Sequence, residues 1–98
     1  MKINLDMNSV LMASQDQVSA NLSSDVTENV IILNINDGVY YELKDVGTRV
    51  WNLTQQPCSV HSILDKLLEE YEVDAERCKT DLLALAEHLA RLGLIQIK

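Results

Sequence analysis

The sequence predicts an α+β domain of winged-helix-like outline, with three to four N-terminal antiparallel strands followed by three α-helices. Three observations carry this prediction. Up to Leu43 the apolar residues fall in short runs of strand length, alternating with polar ones from Val18 to Leu22. From Asp45 onward they recur every three or four residues, the helical period. Between the two halves of the stretch VIILNINDGVYYEL stands an Asn36-Asp37-Gly38 turn signal. A length of 98 residues points to one domain, 1–98.

Residues 1–8 are mixed in character and expected to be loosely held. Leu11 and Ala13 then alternate with Val10 and Met12, and Val18, Ala20 and Leu22 with Ser19 and Asn21. Two short strands follow from that pattern, with Gln15-Asp16 as the turn between them. The hairpin, 30–43, depends on its loop. A two-residue loop would set Leu33 opposite Glu42 and mix apolar with charged residues on one face. A three-residue loop, Asn36-Asp37-Gly38, sets Ile35 opposite Val39, Leu33 opposite Tyr41 and Ile31 opposite Leu43. That register is expected because it gathers six apolar residues on one face. Val30, Ile32, Asn34, Tyr40, Glu42 and Lys44 would occupy the other.

Three helices are expected at about 46–56, 60–71 and 75–92. Asp45 is the N-cap read for the first, whose stripe is Val46, Val50 and Leu53, and Gln56-Pro57 stops it. Ser59 caps the second, with Val60, Ile63, Leu64, Leu67, Leu68 and Tyr71 apolar. Asp74 caps the third, along which Cys78, Leu82, Leu85, Leu89 and Leu92 step by four and three residues. Gly93 ends it from the C′ position, and Leu94, Ile95 and Ile97 read as a short closing strand.

Composition narrows the function. Aromatic residues make up 4% and Phe is absent, so the core must be built of Leu, Ile and Val. A net charge of −7 repels phosphate backbones and anionic membranes. No apolar run approaches the ~20 residues of a membrane span, and the N-terminus is a poor signal peptide. Cys58 and Cys78 stand twenty positions apart with no CxxC, which reads as two reduced thiols in a cytoplasmic protein. His61 and His88 belong to no metal-ligand spacing, and no phosphate-binding glycine loop is present. Neither catalytic residues nor a metal or cofactor site is expected. A DNA-binding or dimerising regulator is the alternative suggested by the winged-helix outline. The third helix sets Arg77, Lys79 and Arg91 against Glu76, Asp81 and Glu87, a neutral balance that argues against groove reading.

Three stretches, NDGVYYELKDVGTRVWNL, CSVHSILDKLLEEYEVD and DLLALAEHLARLGLI, resemble the PqqD-like family of peptide-recognition domains. The matching positions are Gly38, Tyr40-Tyr41, Leu43, Gly47, Trp51, Tyr71, Asp81 and the closing Gly93-Leu94-Ile95. The likeness covers about residues 28–97 and is nearest to the stand-alone members found with lasso peptide maturation enzymes. It implies binding of a precursor's leader peptide as an extra antiparallel strand on the last hairpin strand, beside the third helix. The bound precursor would be presented to a leader-cleaving cysteine protease and an ATP-dependent cyclase. The residues implied are Val39, Tyr40, Tyr41, Glu42 and Leu43 on the strand, and Leu82, Leu85, Ala86 and Leu89 on the helix. Of these, Tyr40 and Ala86 are expected to face the peptide, whereas Tyr41 and Leu43 are read as core.

Overall fold

The computed structural model describes residues 5–15, 17–23 and 28–98. The elements run β1 (Val10–Ala13), β2 (Gln17–Ser23), β3 (Glu28–Asn34), β4 (Val39–Lys44), α1 (Val46–Leu53), β5 (Cys58–Ser59), α2 (Val60–Glu70), α3 (Ala75–Arg91) and β6 (Ile95–Ile97). This is the expected α+β order of antiparallel strands and three helices. The strands divide into two sheets of order β5-β1-β6 and β2-β3-β4. β1 therefore joins the strands around the helices instead of extending the hairpin sheet.

The β1 sheet closes the chain ends on each other. Val10 N–H donates to the Lys98 carbonyl at 3.1 Å and Lys98 N–H returns to Val10 at 2.8 Å. Val60 N–H donates to the Ser9 carbonyl and His61 N–H to that of Met7. Leu5 and Met7 pack against the core. Within the segment expected to be loose, the Met7 carbonyl therefore meets the start of α2, and Leu5 and Met7 lie against the core. Residues 1–4, and Asp16 of the expected turn, lie outside the described residues.

The starts of α2 and α3 and the end of α3 have local causes. The Ser59 hydroxyl accepts from Ser62 N–H at 3.1 Å and the Asp74 carboxylate from Arg77 N–H at 2.9 Å, so two helices start on side-chain caps. α1 starts differently: Asp45 makes no side-chain cap and sits at φ 51°, ψ −117°. α1 also stops at Leu53, short of the expected 56, because Thr54 closes it. The buried Thr54 hydroxyl donates to the Trp51 carbonyl at 2.7 Å, and the Thr54 carbonyl accepts from Ala13 of β1. α3 ends in a Schellman arrangement, Gly93 N–H to Ala90 and Leu94 N–H to Leu89, with Gly93 at φ 75°.

The hairpin register differs from the expected one. Asn34 pairs with Val39, Ile32 with Tyr41 and Val30 with Leu43, across a four-residue loop, Ile35 to Gly38. For β4 the inward face is the expected one. For β3 it is reversed: Val30, Ile32 and Asn34 point inward and are buried, whereas Ile31 and Leu33 turn outward. The reason is Asn34, which is 6% exposed yet fully employed. Its amide donates to the Leu92 carbonyl at 3.0 Å, and its side-chain oxygen accepts from Asn36 N–H at 3.0 Å. Its backbone carbonyl accepts from Gly38 N–H at 2.8 Å. A count of apolar residues per face gives no weight to a buried amide of this kind.

Leu11, Ile32, Trp51, Ile63, Leu67, Leu89 and Leu94 are fully enclosed and join the helices to both sheets. Arg49 of α1 clamps Glu70 of α2 with two short N–H···O bonds, both 2.9 Å. Those bonds, above all, hold the Glu70 carboxyl below its ordinary 4.5.

Two predictions follow from these contacts. Asn34→Leu is expected to cost about 1–3 kcal/mol, because it strands the Leu92 carbonyl and unties the loop; urea unfolding measures this, with faster amide exchange in Ile35–Gly38. Glu70 stabilises the fold above its unfolded value, and that contribution disappears as pH falls through the lower folded value. Glu70→Gln is therefore expected to lower the urea midpoint near neutral pH and to shrink the difference between neutral and about pH 3.

Candidate functional site

In the β2-β3-β4 sheet, β4 is an edge strand. An edge exposes a row of backbone N–H and C=O groups and is a template for another strand. β4 carries neither proline nor an inward charge to blunt it, only Glu42 and Lys44, which pair at 3.7 Å. Tyr40 is 69% and Val39 44% exposed. Tyr41 and Leu43 are half-buried on the core side. The Tyr41 hydroxyl donates to Asp37 at 3.4 Å, and burial followed by that carboxylate raises the phenol above its ordinary value.

From Lys44 the chain turns directly into α1. Asp45 takes the positive φ that this corner needs, a conformation costly for a residue with a Cβ. The Thr48 hydroxyl donates back to the Leu43 carbonyl at 2.9 Å, fastening α1 to the strand end. Val46 and Gly47, the first residues of α1, also form one wall of a cleft of about 410 Å³. Val50 and Leu67 lie on its α1 and α2 sides. Val73 and one face of α3, Arg77, Cys78, Asp81, Leu82 and Leu85, complete it. The interior is apolar, and the polar groups are Asp74, Arg77 and Asp81, the last two 3.9 Å apart. The edge strand is thus followed in the chain, within two residues, by one wall of an apolar cleft; strand addition uses two such features, backbone bonds for affinity and a pocket for a side chain.

The expected helix residues separate into two groups. Leu82 and Leu85 line the cleft, although Leu82, 3% exposed, also belongs to the core cluster. Ala86 and Leu89 are 0% and 1% exposed and belong to the core cluster. Ala86 thus supports the cleft from behind and has no free surface for a ligand, a correction to its expected role. Sequence reasoning passed over Val46, Val73, Arg77 and Asp81 as cleft residues. Residues 74, 77, 78, 81, 82 and 85 do fall on one helical stripe, so the period held the signal for most of them.

Cys78 faces this cleft, but burial and then the Asp81 charge push its thiol upward, away from the thiolate a nucleophile needs. His61 lies 3.7 Å from Asp65 on the exposed side of α2. On α3 Arg77 faces Asp81 and Arg91 faces Glu87 at 2.7 Å, so the helix presents no basic row for a DNA groove. Among the described residues no group of His, Cys, Asp and Glu is placed to hold a metal ion, and no helix is long and apolar enough to cross a membrane.

The family model described as "Coenzyme PQQ synthesis protein D (PqqD)" matches residues 29–95, well over half the chain. The chain belongs to the PqqD family. Its fold is similar to that of TbiB1, solved in complex with the TbiA(beta) leader peptide, at a TM-score of 0.76 and 30% identity. That match covers 87% of this chain and 94% of TbiB1. A second solved structure, a lasso peptide synthetase B1 complexed with the leader peptide, shares the fold at a TM-score of 0.68 and 20% identity. It covers 88% of this chain and 96% of its own. A comparison with curated proteins gave no match. The PqqD-family segment begins in β3 and ends at the start of β6, so it contains both the β4 edge and the cleft.

Ala86→Glu is expected to destabilise the fold by on the order of 3 kcal/mol, since it buries a charge with no partner. An unchanged urea midpoint would place Ala86 at the surface after all.

Proposed function

We propose that this PqqD-family protein binds the leader segment of a ribosomally made precursor peptide and presents it to maturation enzymes. The leader adds to the open edge of β4 as an antiparallel strand, and an apolar leader side chain enters the cleft between α1 and α3. The observation that carries this reading is the junction at Asp45, where an unblunted edge strand meets an apolar cleft within two residues. The two similar solved structures, each holding a leader peptide, support it. In this reading Val39 to Leu43 provide the backbone ladder, and Tyr40 and Glu42 meet outward-facing leader side chains. Leu82 and Leu85 form the cleft wall, with Ala86 and Leu89 fixing their position from the core.

The protein acts by binding, with no catalytic step and no cofactor of its own. Its partners after the leader are a leader-cleaving cysteine protease and an ATP-dependent cyclase, and it works in the cytoplasm. The product class in this reading is a lasso peptide, an assignment that rests on the sequence resemblance and on the fold shared with the lasso peptide synthetase B1.

The test is fluorescence anisotropy with a labelled leader from the associated precursor. Binding of about −8 kcal/mol or stronger is expected, the micromolar range or tighter. Val46→Asp and Leu85→Arg, both at partly exposed cleft positions, are expected to weaken it by about tenfold or more with little loss of stability. Tyr40→Pro removes a donor that the register turns toward the open edge of the docking strand. A folded Tyr40→Pro protein that binds like the wild type would defeat strand addition, and full affinity in both cleft variants would defeat the anchor.

A further inference from the structure

The β2-β3-β4 sheet has a second edge, β2, on the side opposite β4. Its sequence, QVSANLS, holds no charge and no proline. Its pairing with β3 runs residue for residue from Gln17 and Asn34 to Ser23 and Glu28, so no bulge twists the edge away. Lysine, proline and bulge, the devices that usually keep such an edge from pairing, are all missing from β2. The hairpin turn decides which backbone groups this edge leaves open. Gly38 N–H donates to the Asn34 carbonyl, and Val39 N–H is taken by the Asp37 side chain. Asn34, Ile32 and Val30 therefore turn their groups toward β4, and Leu33 and Ile31 turn theirs toward β2. Val18 and Ala20 answer Leu33 and Ile31, so their groups are used within the sheet. The N–H and C=O groups of Gln17, Ser19 and Asn21 point out from the edge.

The pattern of this edge is complementary to itself. Val18 and Ala20 lie on one face of the sheet, and Gln17, Ser19 and Asn21 on the other. A two-fold axis at Ser19 sets an antiparallel copy with Gln17 opposite Asn21 and Val18 opposite Ala20. Polar residues then stand opposite polar ones and apolar opposite apolar. The open groups of Gln17, Ser19 and Asn21 meet the same three residues of the copy, as an isologous contact requires. A slip of one residue loses both matches. Charge points to the same occupant. The chain carries −7, yet β2 and the Asn29–Asn34 stretch of β3 behind it contribute none of that charge. A basic partner finds nothing acidic to read on this strand, and a second copy meets no like charge at the seam. The ladder is seven residues long. At ~3.3 Å per residue it runs about 23 Å, one strand wide, and falls short of the roughly 800 Å² per partner of a standard interface, so the contact is reversible.

We propose that two copies of this chain associate edge to edge through β2, in an antiparallel isologous pair that joins their two three-stranded sheets into one. The two β4 edges then lie at the outer ends of the joined sheet, and each copy keeps its own edge and cleft open. The inference depends on β2 alone and stands or falls apart from the leader-binding reading.

Sedimentation equilibrium of the chain tests this in low salt and in high salt. A monomer–dimer equilibrium with a dissociation constant on the order of 100 µM is expected. It should tighten as salt screens the two like net charges, the opposite of a contact built on ion pairs. Ser19→Pro removes an outward donor without touching the β2-β3 ladder, and Ala20→Lys brings like charges together across the axis at an exposed position. Each is expected to weaken the dimer by about tenfold or more. Amide exchange reads the same contact without a substitution: Ser19 and Asn21 should exchange about threefold more slowly at ~500 µM than at ~10 µM chain, with Tyr40 and Glu42 unchanged. A wild type that stays monomeric at ~500 µM in both salts overturns the proposal, as does a dimer of full strength in both folded variants. A dimer lost in Ala20→Lys but kept in Ser19→Pro would set the contact on the sheet's outer face, and one that slows exchange at Tyr40 but not at Ser19 would set it on β4; either result overturns edge pairing at β2.

Discussion

Asn34 holds the hairpin to the rest of the molecule. Its amide spans the gap between the loop of β3-β4 and the last carbonyl of α3, joining residues far apart in sequence. A buried amide is tolerated only when its groups are satisfied, so its position permits few alternatives. With Asn34 inward, Val30 and Ile32 must also be inward, and Ile31 and Leu33 must be outward. The sheet's two faces, its register and the outward position of Tyr40 all follow from that single placement.

The same placement shapes the candidate site. Four loop residues bring β4 back as the last strand of its sheet, and the next residues must leave the sheet at once to begin α1. Asp45 accepts the resulting positive φ without a glycine's freedom. Strain of this kind persists only when its surroundings hold it, and here the Thr48 hydroxyl bond to Leu43 and the Arg49 clamp on Glu70 do so from the adjoining turn. The strand end and the cleft wall are thereby fixed relative to each other before any ligand arrives. A peptide that must satisfy both the edge and the cleft then has less ordering to drive in the protein, which is the energetic meaning of preorganisation.

The sequence made the architecture readable because its strongest signals were local. The period change at Asp45, the Ser59 and Asp74 caps and the Gly93 ending are all properties of neighbouring residues, and they recur in the structure at or near the expected positions. What could not be read depended on contacts across the chain. Nothing near Asn34 reveals that Leu92 will receive its amide. Nothing near Thr54 reveals that its carbonyl will be drawn to Ala13, ending α1 early. Val10–Ala13 looked like a partner for the next strand, yet it pairs with Cys58–Ser59 and Ile95–Ile97, two pieces too short to announce themselves. For the candidate site, the β4 edge was legible as the last strand before the helices, whereas Ala86 was not separable from Leu85. Adjacent helical positions differ by about 100° in direction, and only the packing shows which of the two is enclosed.

In the proposed binding mode, edge and cleft divide the work of recognition unequally. Backbone bonds along β4 are available to almost any extended segment, so they supply affinity with little discrimination. The cleft admits an apolar group but sets Asp74, Arg77 and Asp81 around it, and a charged or oversized side chain would lose solvation there without a matching partner. Discrimination therefore falls on one end of the docked strand. In that mode a residue such as Leu85, half-buried and in the cleft wall, would change which peptide is accepted, whereas Ala86 beside it, fully buried, would change only the packing behind the wall. Selection for a new leader would accordingly act on Val46, Val73 and Leu85 and leave the core stripe of α3 as it is.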